Sequence, residues 1–322
     1  MNSPLRLGFD EQQLAVSEAI TRFCEQHDVE TLVREQHAHF PTDLWRQLAA
    51  LGVFAPAAPG HSDSGGAVTV CAISEALGHV VFPGPIADTF LALQVLDGSE
   101  FEAILCGDVL ICVSRSDSQL LPLGTVASLF LQVEDACIFR ATPRETLQPI
   151  ATLGGETWAR GALATGETLS GAPQALTLGN LSQAAYIAAL GLKLLSNTAE
   201  YVAQRQQFGQ PLGDFQAISH PLADCMIALS AAQRIARAAA RDFDELGGDH
   251  LSTQQQAAGA IRSARRAGLM AAHTCHQAYG AIGVTLEGPV FHCSRRLRQL
   301  ASLMDGQREE QLLVASAGLR GH

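Results

Sequence analysis

The sequence predicts a mainly helical fold with a small β domain set into its middle. Apolar residues recur at close to helical spacing through the first hundred positions. Short apolar and β-branched runs, separated by Asp, Ser, Pro and Gly clusters, fill the stretch from about 105 to 170. Helical periodicity then returns after Leu181 and persists. The expected organisation is an N-terminal helical domain over 1–104, a reduced β domain over 105–172 and a four-helix bundle over 173–322.

Phe9-Asp10-Glu11 opens the first helical stretch, with Leu14, Val16, Ile20 and Phe23 as its apolar positions. A second centres on Leu44, Trp45, Leu48 and Leu51 and stops at Gly52, a residue suited to ending a helix. The HSDSGG loop at 61–66 precedes an apolar segment from Ala67 to Leu77, and Pro83-Gly84-Pro85 breaks the chain. Val109–Val113, Leu129–Leu131 and Cys137–Phe139 read as strands, in a region so small that it must lean on its neighbours. The next helix runs to about Gln204 with Leu190, Leu194 and Tyr201 on one face. After a loop from Gln206 to Gly213, Asp214 is the expected N-cap of a long helix carrying Leu222, Met226 and Leu229. Gly247-Gly248 ends that helix, Ser252-Thr253 can cap another reaching Ala278, and a Gly-rich turn at 280–283 leads to the last helices. No internal repeat is visible.

Composition narrows the function. The formal net charge is −11, so the chain lacks the positive field that attracts phosphate backbones or anionic lipid; nucleic acid and membrane are set aside as partners. No uninterrupted apolar run approaches the roughly 18 residues that span a bilayer, and the first residues carry no signal-peptide core. Cys24, Cys71, Cys106, Cys112, Cys137, Cys225, Cys275 and Cys293 stand singly without a CxxC, which favours buried thiols in the cytoplasm over zinc or disulfides. Ser182, Ser196 and Ser219 lack a nucleophile elbow. His273 and His276 around Cys275 are too few for a metal. Glu309-Glu310 and Arg295-Arg296 with Arg298 are expected to be solvated faces or subunit contacts.

Two motifs carry more. Arg205-Gln206-Gln207-Phe208-Gly209, then Pro211-Leu212, Phe215-Gln216 and Leu222-Ala223-Asp224, form the first; Gln277-Ala278-Tyr279-Gly280-Ala281-Ile282-Gly283, with Glu287 and Pro289, forms the second. In that order they resemble the acyl-CoA dehydrogenase family. Leu44-Trp45, the Gly-Gly at 65–66 and Glu75-Ala76-Leu77-Gly78 are similar to its first domain. The resemblance implies FAD as cofactor. Arg205 would grip the diphosphate with a bidentate fork, flanked by Gln207 and Phe208, on a flavin seated mainly in a neighbouring subunit. Gln216 and Gln277 would offer amides to the same cofactor, while Gly280, Ala281 and Gly283 let backbone approach its adenosine end.

Other parts of the family pattern are missing. No T-E-P-x-x-G-S-D loop or W-I-T strand occurs between 105 and 170, where Trp158-Ala159-Arg160 is only a remnant. The family's base is a Glu near the C-terminus. Asp305 reaches its place if one residue is inserted, with a carboxylate one methylene short, and a misplacement of about 1 Å can cost ~100-fold. The alternative base position falls on Gly179 or Asn180, which cannot take a proton; Glu287 is read as structural. Short chains of this type resemble the non-catalytic half of heterotetrameric enzymes acting on steroid or bile-acid side-chain acyl-CoA substrates. The implied partner is a longer homologue that supplies the Glu, with no catalytic residue here beyond the weak candidate Asp305. A stand-alone homomeric dehydrogenase using Asp305, and a non-enzymatic assembly subunit, are the competing readings.

Overall fold

The computed structural model describes residues 8–35, 39–60, 65–115, 119–152, 156–286, 288–303 and 306–316. Six helices come first: α1 (Glu11–Gln26), α2 (Val29–Glu35), α3 (Thr42–Ala50), α4 (Gly66–His79), α5 (Ile86–Ala92) and α6 (Gly98–Leu105). A capping box starts α1, because the Asp10 carboxylate accepts from the Gln13 amide at 2.9 Å while the Gln13 side chain accepts from the Asp10 amide. α4 is buried on almost every side. Its first turn is capped from far along the chain, where Asp244 accepts from the Ala67 and Val68 amides at 2.6 and 3.1 Å.

Seven strands follow: β1 (Ile111–Arg115), β2 (Leu120–Leu121), β3 (Leu129–Glu134), β4 (Cys137–Pro143), β5 (Gln148–Pro149), β6 (Ala159–Arg160) and β7 (Leu163–Leu169). A four-stranded sheet runs β1-β3-β4-β7, with β1 parallel to β3 and the other pairs antiparallel. A small second sheet runs β2-β6-β5. Leu131, Val133 and Ile138 join the same continuous core as the helices. Among the described residues only Cys112, Leu121, Ala141 and Leu163 form a separate cluster, so the strands do lean on the helical layers.

The chain closes with α7 (Ala172–Gln204), a hairpin of β8 (Gln206–Gln207) and β9 (Gln210–Pro211), then α8 (Gln216–Leu246), α9 (Leu251–Tyr279), α10 (Pro289–Ser302) and α11 (Gly306–Ser316). Several local expectations are corrected here. α7 begins well before Leu181, because its first turns are buried on all sides and carry no periodic contrast. The loop after it is a two-residue hairpin. Phe215 rather than Asp214 precedes α8, and His250 rather than Ser252 or Thr253 precedes α9; neither N-cap side chain bonds its helix. On α8 the buried face uses Leu222, Cys225 and Leu229, while Met226 points outward. α7 is long and apolar enough to cross a bilayer by length and composition, yet most of it is packed inside the protein, where it forms the axis of the bundle. Buried small residues, Ala188 and Ala189 on α7 and Ala260 and Ala264 on α9, keep side-chain bulk low inside the bundle.

Candidate functional site

α7 and α9 run parallel and α8 runs against both, so the C-terminal ends of α7 and α9 meet the start of α8 at one end of the bundle. Tyr201 and Tyr279 lock this end: their rings stack at 4.1 Å between centroids with an interplanar angle of 11°, and the Tyr279 hydroxyl donates to the Asn197 carbonyl at 3.0 Å. All seven expected cofactor residues, Arg205, Gln207, Phe208, Gln216, Gln277, Gly280 and Ala281, sit at this end and are exposed.

Arg205 ends α7, turning to φ −73°, ψ 117° while its amide still donates to the Tyr201 carbonyl. Its carbonyl accepts from Leu212, which closes the base of the hairpin. Among the described residues its guanidinium has no ion-pair partner within 4 Å. Phe208 and Gly209 turn the hairpin at φ 52° and 85°, the left-handed pair of a two-residue turn. Phe208 is 93% exposed and meets Phe215 edge-on, with ring centroids 6.2 Å apart. Phe208 thus presents an exposed aromatic ring on a residue of positive φ, three positions after Arg205.

The α9 turn is fixed from within. Gly280 adopts φ 63°, which a side chain resists. Gly283 is buried, and a Cβ there would stand 3.1 Å from Tyr279 Cβ and 3.3 Å from His276 Nδ1. His276 shares a 2.7 Å hydrogen bond with Ser294 below the turn, and burial lowers its pKa, which favours the neutral ring. Ile282, Val284 and Leu286, in and after the turn, are exposed as well. The sequence did not reveal the tyrosine pair, although Tyr279 stood inside the second motif.

A second place with chemistry lies where α5, β1, α7 and α10 meet. The cavity there is only about 70 Å³ and is lined by Asp88, Arg115, Trp158, Gln183, Tyr186 and Arg296, among others. Cofactor pockets span roughly 300–1,000 Å³. Cross-links fill it: Arg115 pairs with Asp88 at 2.6 Å, Tyr186 donates to the Phe82 carbonyl at 2.8 Å, and Arg296 donates to the Gly84 carbonyl at 2.8 Å. Behind it Arg265, 5% exposed, donates to Glu309 (2.5 Å), Gln183 (3.1 Å) and the Leu303 carbonyl (2.9 Å). Glu309 is therefore buried and paired rather than solvated, as are Arg295, held by Glu156 at 3.0 Å, and Arg296 in part; Glu310 and Arg298 are exposed as expected. Gly179 is buried against Leu91, and Asn180 borders a void beside Glu309. Asp305 and Glu287 lie outside the described residues.

Comparison with known proteins decides the family. Residues 10–95 match the model of the acyl-CoA dehydrogenase N-terminal domain, and residues 170–319 match that of the C-terminal domain. The chain belongs to the acyl-CoA dehydrogenase family. Between the two matches lies the strand region, where the family's ring-gripping motifs are missing. The chain is 27% identical to the acyl-CoA dehydrogenase IpdE2 of Mycobacterium tuberculosis over 316 residues, covering 93% of this chain and 95% of that protein. Among solved structures it is similar to a chain of the ChsE4-ChsE5 complex of Mycobacterium tuberculosis (TM-score 0.78, 21% identity, 99% and 100% covered). A chain of the Tcur3481-Tcur3483 steroid acyl-CoA dehydrogenase is similar too (TM-score 0.77, 21% identity, 96% and 99% covered). The fold, helices before and after a small β region, is that of these acyl-CoA dehydrogenases.

Proposed function

We propose that this chain is the cofactor-sharing subunit of a heteromeric, FAD-dependent acyl-CoA dehydrogenase. One observation carries the reading: Arg205 and Phe208 are displayed, uncovered, on one end of the bundle, while the interior junction of the same chain holds only about 70 Å³. Arg205 would hold the diphosphate through charge-assisted hydrogen bonds, and Phe208 would cover an apolar face of the nucleotide. Gln207, Gln216 and Gln277 offer amides, and Gly280 and Ala281 bring backbone close. When bound, FAD supplies a hydride acceptor for α,β-dehydrogenation of a CoA thioester.

The partner is a longer homologue that contributes the base Glu and most of the substrate pocket. The ChsE4-ChsE5 and Tcur3481-Tcur3483 complexes, each named for two chains, support the hetero-oligomer, and the second, a steroid acyl-CoA dehydrogenase, supports a steroid or bile-acid side-chain substrate. Eight unpaired cysteines support a reducing, cytoplasmic setting.

Co-production with a fuller acyl-CoA dehydrogenase chain is expected to give a yellow complex that reduces a dye with an acyl-CoA, whereas this chain alone stays colourless. Truncating one partner of an interfacial charge pair costs about 2–5 kcal/mol. Arg205→Ala should thus weaken flavin binding by the complex at least ~30-fold. A lone chain that binds stoichiometric FAD and loses activity on Asp305→Asn would establish the homomeric alternative instead. Unchanged flavin content in the Arg205→Ala complex would leave only an assembly role.

A further inference from the structure

The two flavin-facing loops come from segments more than seventy positions apart in the chain, yet a single contact joins their roots. Tyr201 lies one helical turn before Arg205, and its carbonyl holds the Arg205 amide. Tyr279 lies two residues after Gln277 and directly before Gly280. Their rings are nearly parallel at 4.1 Å, and the Tyr279 hydroxyl reaches a further turn up α7 to the Asn197 carbonyl. Tyr279 is 7% exposed, so this is an interior contact and not a surface pairing. The Leu212 amide, bonded to the Arg205 carbonyl, hangs the hairpin on the same root.

We propose that Tyr201 and Tyr279 are positioning residues that clasp the Arg205 hairpin to the Gln277–Ala281 turn, so that both ends of one dinucleotide are gripped as a unit. The inference rests on the cofactor-sharing reading and adds to it a reason why the two grips act together. Two planar rings set the spacing of α7 and α9 with few rotatable bonds, and preorganised contacts lose less freedom on binding than independent loops do. Burial, first of all, lifts the Tyr279 phenol to about 12, so its hydroxyl stays a donor throughout the working range.

The test uses the complex with the partner chain and reads FAD affinity from flavin fluorescence. Tyr279→Leu keeps bulk but removes the stack, and Tyr201→Leu removes it from the more exposed side, which guards against a folding failure in the first variant. Each is expected to weaken FAD binding about tenfold, while Tyr279→Phe, which keeps the stack, stays within about threefold of the parent. The decisive readout is coupling: Arg205→Ala and Gln277→Ala should be non-additive in the parent and additive in the Tyr279→Leu background. If Arg205→Ala weakens binding by the same factor in both backgrounds, the rings do not couple the loops and the clasp is wrong. If Arg205→Ala changes nothing in the parent, the cofactor-sharing reading itself has failed, and the two failures are told apart.

Discussion

Replacing Arg265 by Met should be among the most damaging single changes in this chain. Arg265 and Glu309 are each 5% exposed and meet at 2.5 Å, and the same guanidinium also supplies Gln183 and the Leu303 carbonyl. Removing the cation leaves a carboxylate buried with no counter-charge from Arg265, which costs about 3–5 kcal/mol, whereas swapping a whole buried pair for apolar residues is often close to neutral. Arg265→Met/Glu309→Leu should therefore recover most of the loss. A remainder of about 2 kcal/mol is expected from Gln183 and the Leu303 carbonyl, each deprived of a net bond worth about 1 kcal/mol. Guanidinium unfolding followed by the fluorescence of Trp45 and Trp158 measures Arg265→Met, Glu309→Leu and the double variant. A single Arg265→Met variant within about 1 kcal/mol of the parent would refute the reasoning, and so would a double variant as unstable as the sum of the singles. The pair ties α9 to Leu303 and to α11.

Other outcomes follow from the same structure. Native protein should present two fast thiols to an aromatic disulfide reagent, the exposed Cys106 and Cys137; the six buried thiols, with burial pushing Cys24, Cys112 and Cys293 to about 12, should react only in denaturant, giving eight in all. Asp244→Ala removes the distant cap on α4 and should cost about 1–2 kcal/mol in the same unfolding assay, with Asp244→Asn recovering part of it. Phe208→Ser should leave the lone chain's stability within about 0.5 kcal/mol of the parent, since the ring is 93% exposed, and yet lower flavin retention by the complex; a large loss of stability would mean that the ring is packed within its own chain.

Much of the fold was legible because its signals are local. The helix start at Phe9-Asp10-Glu11, the strand-and-turn texture around β3 and β4, and the two loop motifs each reside in a few neighbouring residues. What escaped was non-local. Asp244 caps α4 from 177 positions away, so no window around α4 contains the cap. Sequence rules instead nominated Asp214, Ser252 and Thr253, polar residues near helix starts that do not bond them. Glu309 beside Glu310 reads as a solvated pair until its neighbour proves to be Arg265 on another helix. Within the candidate site, Arg205 and Phe208 entered the reading through the first motif, a pattern held in neighbouring residues. The stacking of the tyrosines did not, because the parallel course of α7 and α9 is a property of the whole bundle.

The contrast between the two places with chemistry argues for division of labour more strongly than either does alone. At the interior junction, charged and aromatic side chains have turned inward and spent their hydrogen bonds on this chain's own carbonyls, as Tyr186 does at Phe82 and Arg296 at Gly84. Clearing that junction for a ring system would strip donors from buried carbonyls and strand a guanidinium, each a cost of roughly 1–3 kcal/mol or more. At the bundle end the reverse holds. Arg205 and Phe208 give up little when a ligand covers them, because they bond little beforehand, and covering Phe208 removes apolar surface from water. That asymmetry supports the proposal that this chain completes a neighbour's site.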